Sequence, residues 1–235
     1  MRCDVIISIY KAGRYFSSML EEIPKQTAFE QCDFYFLDAA SPDGEKDLYI
    51  PFCEQYPNCR FVRLDNREPL YKTWNIGIKM GESKLISNWN TDDRRSYNSL
   101  ELQIADFERN EGVDVNYGII RISRSFKPYF SLSNTRNNAF VKFSKNAWRH
   151  CAPSCLPMWR RSLHDRVGYF DESYESAGDY EFWCRCLDNG VNFSNLNFIS
   201  GVYYASPTSI SLRPGGKGAE ETRKIVEKYV AKFSD

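Results

Sequence analysis

Two adjacent carboxylates, Asp92 and Asp93, close the stretch Lys84-Leu-Ile-Ser-Asn-Trp-Asn-Thr-Asp-Asp93. The apolar run before them reads as a short buried strand, and the carboxyl ends of strands are where α/β sheets bind ligands. Neighbouring acids repel each other unless positive charge lies close by. Hard divalent cations such as Mg²⁺ or Mn²⁺ take carboxylate oxygens and share them with substrate phosphates. The pair therefore points to a metal–diphosphate site; a solvated turn or a helix cap is the plainer alternative. A third acid, Asp179, follows Gly178 at the start of a helical pattern. A carboxylate there can take a proton from an attacking hydroxyl, or it can simply complement the helix dipole. Glu181 and Arg185 are four residues apart, the spacing of a helix-surface ion pair. Arg185 is also a candidate for orienting loops or a phosphate. Trp148 and Trp159 have the flat apolar faces that stack on sugar rings, but core packing explains them equally well. His164 lies on an expected helix surface and is a candidate third metal ligand.

These residues need a scaffold, and hydrophobic periodicity supplies an outline of one. Residues 5–9 and 34–37 read as buried strands, the second ending at Asp38. Strands are also expected at 60–64, in the run before the acid pair, and at 113–123. Helical spacing covers 13–26, 47–55, 71–80, 98–109, 159–167 and 177–189, with Gly81 stopping the third of these. Alternation of strand and helix argues for a mostly parallel central sheet flanked by helices. Ser8, Tyr10 and Asp38 fall at or near strand ends, where α/β sheets bind ligands, and Lys72 could reach a bound phosphate or simply be a solvated lysine. Residues 124–152 form a polar, aromatic, irregular stretch with Asn134, Asn137, Asn138 and Trp148. From about residue 219 the chain is amphipathic, with Ile225, Tyr229 and Phe233 on one face.

Composition narrows the class. The 235 residues carry 31 Lys plus Arg and 31 Asp plus Glu, a formal charge of zero. Such a chain lacks the overall electrostatic drive toward duplex nucleic acid. Hydrophobic residues at 42% permit a sizeable core. The eight cysteines read as small buried thiols, since Cys184 and Cys186, two apart on a helix, point to different sides.

Several short motifs, taken in order, resemble the family 2 glycosyltransferases, which invert configuration and have the GT-A fold. Val5-Ile-Ile-Ser-Ile-Tyr10 is similar to the opening strand of that family, with Lys11 where Asn is usual. Gln26-Thr27 resembles the dipeptide closing the first helix. Phe36-Leu-Asp-Ala-Ala-Ser-Pro-Asp43 resembles the end of the second strand, with Ala39 in place of the second of two acids. Trp74-Asn-Ile-Gly-Ile-Lys79 resembles the Asn-x-Gly helix before the metal loop, and Asn90-Thr-Asp-Asp93 the metal loop itself, Asn90 replacing the leading acid. Val167-Gly-Tyr-Phe-Asp-Glu172 and Ser176-Ala-Gly-Asp-Tyr-Glu-Phe-Trp-Cys-Arg185 resemble the acceptor-side turn and the catalytic helix. The likeness runs from about residue 5 to 204.

The resemblance implies a Rossmann-like GT-A domain over 1–235. Residues 1–110 form its nucleotide-sugar half, 111–210 its acceptor and catalytic half, and 211–235 a tail helix. It implies transfer from a UDP- or GDP-type sugar donor to a glycan or other hydroxyl acceptor, assisted by Mg²⁺ or Mn²⁺. Asp179 would be the base, Asp93 the metal ligand and Asp92 a ribose contact. Ser8, Tyr10, Asp38 and Lys72 would bind the nucleotide, and Trp159 and Arg185 the acceptor side. A non-catalytic nucleotide-sugar or glycan-binding module is the rival that Asn90 and Ala39 keep open. Transfer to modified nucleic-acid bases is a second rival, which zero net charge disfavours. Residues 1–10 contain neither signal peptide nor membrane span, so a cytoplasmic protein is expected. Lys224, Lys228 and Lys232 beside the apolar face of the tail suggest a weak peripheral membrane contact; packing of that face onto the domain is the alternative.

Overall fold

The computed structural model describes residues 1–138, 140–206, 209–210 and 215–233. The first half alternates strand and helix: β1 (Cys3–Ile9), α1 (Gly13–Glu22), β2 (Cys32–Asp38), α2 (Lys46–Gln55), β3 (Cys59–Arg63), α3 (Leu70–Met80) and β4 (Leu85–Asn88). A two-residue strand β5 (Arg94–Arg95) and α4 (Ser99–Arg109) follow. The second half contains β6 (Val115–Ser123), β7 (Thr135–Asn137), β8 (Met158–Arg160), α5 (Leu163–Val167), α6 (Gly178–Asp188), β9 (Phe193–Tyr204) and α7 (Gly218–Val230).

Among the described residues these strands form one sheet in the order β3-β2-β1-β4-β8-β6-β9-β5, with β7 on β6. β3, β2, β1 and β4 are mutually parallel. β8 enters antiparallel between β4 and β6, and β6 and β9 run parallel. Side chains alternate across the sheet as the pleat requires. Ile6 faces a core shared with Trp74, Trp159 and Trp183, whereas Val5, Ile7 and Ile9 face one built on Phe16, Phe36 and Phe107. Gly77 lets α3 lie close to the sheet: a Cβ there would come within 2.9 Å of Ile6.

The connection from β4 to β5 shapes the sheet. Only residues 89–93 join them, and part of that run is a turn closed by Asp93 N–H on the Asn90 carbonyl. In a flat sheet four strand spacings separate β4 from β5, about 19 Å. A turn-containing loop of five residues does not reach that far, so the sheet coils until the ends of β4 and β9 meet. The contact is direct: the Tyr204 N–H donates to Asp93 at 3.2 Å.

Three sequence expectations change. The helix expected over 159–167 is a strand followed by a five-residue helix. Trp159 pairs with Ile86 on one side and Val115 on the other, and sheet pairing overrides the local pattern. Its side chain is 1% exposed among Phe170, Trp183 and His164, so Trp159 is core and does not present a face to an acceptor sugar. Trp148 is likewise buried, stacked on Tyr180. The long strand β9 was not foreseen; its polar residues and Gly201 hide the alternation, and its register on β6 slips twice near Gly118 and Ile119.

The tail helix α7 packs onto α6. Ile225, Tyr229 and Phe233 are buried against the domain, so the apolar face that a membrane contact requires is already covered. Lys224, Lys228 and Lys232 pair with Glu220, Glu181 and Asp188. Among the described residues no helix is long and apolar enough to cross a membrane. All eight cysteines are free, and Cys184 and Cys186 are both fully buried.

Replacing Trp159 with alanine removes an indole from this core and is expected to cost about 3–5 kcal/mol of unfolding free energy. Urea denaturation measures it; an unchanged midpoint would return Trp159 to the surface role.

Candidate active site

The parallel strands bring three loops to one edge of the sheet. The loop after β1 is tied to the loop after β2. Lys11 N–H donates to Ser41 Oγ at 2.8 Å, and Ala12 N–H donates to Glu45 Oε1 at 2.6 Å. Lys11 and Ala40 both hold left-handed backbone, φ 52° and 55°, as does Ser154 at 53°. Non-glycine residues pay of order 1–2 kcal/mol for that region, and such strain gathers at functional sites. Asn and Gly adopt this region more easily than Lys or Ala.

Asp38 braces this edge. It is fully buried; Oδ1 accepts from Ser41 N–H at 2.7 Å, and Oδ2 accepts from Tyr49 and Arg63. It shapes the loop and presents no oxygen to a nucleotide, which corrects the role expected of it. Ser8 and Tyr10 remain partly exposed. The Tyr10 ring lies 4.4 Å from the Arg67 guanidinium, an arginine that sequence reading passed over. Lys72 is partly exposed and pairs with Glu68, just ahead of α3, at 2.9 Å, an ordinary surface ion pair.

The acidic loop follows β4. Asp93 has no exposed surface: Oδ1 accepts from Tyr204 N–H, and Oδ2 accepts from Asn90 Nδ2 at 3.1 Å. Burial and the charge of Asp92 push its pKa well above the usual carboxylate range. Asp92 is partly exposed, and among the described residues only its own backbone N–H bonds it. Asp93 is thus held inside the protein, and Asp92 is the more open carboxylate of the two. Two buried arginines secure the loop. Arg94 donates to the carbonyls of Thr91, Asp93 and Tyr15, and Arg95 to Asn88 O, Ser87, Ser99 and Gln103. Loss of water pushes both down to about 10. Their position directly after the acids was the signal available in the sequence.

Asp179 opens α6. Its Oδ1 lies 3.1 Å from Tyr71 Oη, which also lies 2.7 Å from Ser176 O, so the one hydroxyl proton is shared between the two acceptors. Burial raises its pKa, against the hydrogen bonds that lower it. Tyr71 stands in the first turn of α3, the turn that leaves the carboxyl edge of the sheet, so Asp179 lies on the same edge as Asp92. The segment 151–155 links them: Cys155 touches Asp93, and Cys151 lies in the field of Asp179. Four residue steps span at most about 14 Å. Gly178 is required here, because a Cβ would meet the Tyr71 ring at 2.6 Å.

Two of the motifs form one device. Asn75 donates to Phe170 O and Glu172 Oε1, both at 2.9 Å, and accepts from Phe170 N–H at 3.1 Å. Arg185 bonds the carbonyls of Val167 and Tyr169 and the carboxylate of Glu181. It holds the 167–172 turn and does not reach an open acceptor surface. His164 uses both ring nitrogens internally: Trp159 Nε1–H donates to Nε2 and Gly168 O faces Nδ1, each at 3.0 Å. That removes it as a metal ligand.

Among the described residues no group of three His, Cys, Asp or Glu side chains is set to hold a metal ion. Asp92 and the Asn90 amide offer hard oxygen donors. That set suits a cation which takes one or two protein oxygens and completes its shell with phosphates and water.

Residues 4–168 match the family model "Glycosyl transferase family 2", so the chain belongs to glycosyltransferase family 2. It is 23% identical over 211 residues to the E. coli UDP-Glc:alpha-D-GlcNAc-diphosphoundecaprenol beta-1,3-glucosyltransferase WfgD, covering 88% of this chain and 79% of WfgD. Among solved structures, S. aureus TarS 1-349 superposes with a TM-score of 0.74 at 18% identity, covering 98% of this chain and 66% of TarS 1-349. The Pyrobaculum calidifontis mannosyltransferase PcManGT, solved with GDP-Man and Mn²⁺, gives 0.69 at 14% identity over 100% of this chain and 64% of its own. The fold is GT-A. The chain thus spans about two thirds of these structural relatives.

The buried His164 sets a pH test. Desolvation lowers its pKa to about 4, below the ordinary 6.5. The unfolded chain binds that proton first, so the contribution is fully present above pH 6.5 and lost as pH falls toward 4. Its size is roughly 3 kcal/mol. In His164→Phe, unfolding free energy measured from pH 7.5 to 4 is expected to fall less with acid than in the wild type; parallel curves would refute a neutral buried imidazole.

Proposed function

We infer that the protein transfers a sugar from a nucleoside-diphosphate sugar to a hydroxyl acceptor with inversion at the anomeric carbon. The observation that carries this reading is Asp179. It is a carboxylate held by Tyr71 at a helix start, with its basicity raised by burial, on the sheet edge that also carries Asp92. Family membership and the fold support it, as do the relatives: WfgD is described as using UDP-Glc, and TarS 1-349 has been solved with UDP-GlcNAc.

In this reading the acceptor hydroxyl donates its proton to Asp179 as its oxygen attacks the anomeric carbon. The bond from that carbon to the diphosphate oxygen breaks, and the electron pair leaves with the nucleotide. Tyr71 keeps the receiving carboxylate oriented. Asp92 and the Asn90 amide would hold Mg²⁺ or Mn²⁺, and Asp93 fixes the loop beneath them. When bound, the ion neutralises charge on the departing diphosphate. Tyr10 offers its ring to the base, with Arg67 beside it; Ala39 removes one acid from the base contact and Asp38 is occupied, so base choice rests on other groups. A hydroxyl on a glycan is the acceptor class that the WfgD likeness favours. The rival of a non-catalytic binding module predicts donor binding without turnover.

Two substitutions test the assignment on donor binding and donor turnover, with UDP-glucose, UDP-GlcNAc and GDP-mannose as probes. Asp179→Asn keeps shape but accepts no proton, and should lose on the order of 10²–10⁴ in rate while binding donor normally. A folded variant turning over near the wild-type rate would sink the catalytic role. Asp92→Asn should abolish the Mn²⁺-dependent part of UDP or GDP binding, read by calorimetry with and without chelator, with little change in Tm. Asp93→Asn should instead show its main effect on Tm. If the two patterns are reversed, the assignment of roles to the two acids is wrong.

A further inference from the structure

The residues before Asp179 are held from outside their own element. Glu175, Ser176 and Ala177 expose three consecutive backbone N–H groups ahead of α6. All three donate to one carboxylate, Glu221 of α7: Glu175 N–H to Oε1 at 2.8 Å, Ser176 and Ala177 N–H to Oε2 at 2.9 and 2.8 Å. Consecutive N–H groups of this kind form an anion-binding concavity, and here the anion comes from a segment more than forty residues later. Glu221 is buried. Lys217 pairs with Glu175 at 2.6 Å, and Lys228 and Tyr229 reach Glu181 at 2.8 and 3.0 Å, so α7 grips both sides of Asp179 in the chain. Tyr71 holds the same turn from the opposite side through Ser176 O. Asp179 itself touches neither Glu221 nor α7.

We propose that Glu221 is a positioning residue: by binding the 175–177 N–H groups it fixes the turn that aims the Asp179 carboxylate, and it makes the C-terminal helix part of the catalytic apparatus. The proposal rests on the reading of Asp179 as the base. A carboxylate accepts all three hydrogen bonds, whereas an amide turns an N–H toward one of the donors and alanine leaves all three donors without this partner, that of Ala177 buried. Displacement of the base by about 1 Å is enough to cost about 10²-fold in turnover.

A second consequence concerns pH. The titratable groups facing Asp179 are Tyr71 from α3, Cys151 from the segment before β8 and Glu221 from α7. The negative charge of Glu221 makes Asp179 harder to ionise. Removing that charge lets Asp179 ionise at lower pH, so the acid limb of the rate profile moves down.

The experiment compares Glu221→Ala, Glu221→Gln and Glu221→Asp with Ile225→Val, which trims the same helix where it packs and leaves the carboxylate alone. Readouts are Tm, UDP–Mn²⁺ affinity, amide hydrogen exchange at 175–177, and the kcat and pH profile for hydrolysis of whichever of UDP-glucose, UDP-GlcNAc or GDP-mannose the wild type turns over fastest. Expected for Glu221→Ala are faster exchange at 175–177, unchanged UDP affinity and a kcat about 10²-fold lower. Glu221→Asp should recover part of the rate, and Glu221→Gln should shift the acid limb downward. Ile225→Val should lower Tm and leave kcat in place. Wild-type kcat in folded Glu221→Ala, or an equal kcat loss in Ile225→Val, overturns the proposal. Asp179→Asn separates the two levels. If it stays active, the base reading itself has failed. If it is inactive while Glu221→Ala is not, only the positioning role has. In an inactive Asp179→Asn background, Glu221→Ala should produce no further loss.

Discussion

Two guanidinium groups nearly cut off from water, Arg94 and Arg95, hold the acidic loop where it is. Burying one such ion costs several kcal/mol unless its hydrogen bonds are met. Here most are met by carbonyls, hydroxyls and an amide, not by acids: Arg95 alone binds Ser87, Ser99, Gln103 and the Asn88 carbonyl. The cations thus pin the backbone while leaving both neighbouring carboxylates outside any contact ion pair among the described residues. Asp93 spends its oxygens on Tyr204 and Asn90, and the charge of Asp92 remains for a ligand. One loop thereby combines rigid placement with a carboxylate left outside any ion pair among the described residues.

The acceptor side is built by clamps between distant segments. Asn75 grips the 168–172 turn, Arg185 closes the same turn from α6, and α7 secures the start of α6. Each clamp pairs a side chain with backbone groups, and where those are buried, as at Phe170 and Ala177, removing it costs both the bond and the desolvation of what it leaves behind. Short motifs that look separate along the chain are therefore the two halves of single contacts. Asn75 has its meaning only beside Phe170, and Gly178 only beside Tyr71.

Much of the parallel half was legible in the sequence, because it follows local rules. Buried strands of four to seven residues, helices with an apolar stripe and Gly81 at a helix end all fall where the pattern places them. The acid pair and Asp179 were legible as chemistry, since residue type and position at an element end carry that information. What was not legible depends on partners far away. Trp159 reads as helix until β4 and β6 claim it for the sheet. Asp38 and His164 have the right atoms for ligand binding, but Tyr49, Arg63, Trp159 and Gly168 use those atoms up. Which of Asp92 and Asp93 is covered depends on the coiled sheet, and adjacency along the chain does not encode that. Glu221 gave no sign, since a glutamate in the first turn of an amphipathic helix is the commonest of surface features.

The pairing of β5 with β9 has a kinetic meaning. Arg94 and Arg95 lie beside Val202 and Gly201, across more than a hundred residues. Contacts of such sequence separation form late, because loop closure must precede any gain from them. The four parallel strands can condense from neighbouring segments, but the acidic loop gains its second anchor only when β9 docks. The placement of Asp92 and Asp93 thus depends on closing a loop of more than a hundred residues, a cost that the four parallel strands beside it do not share.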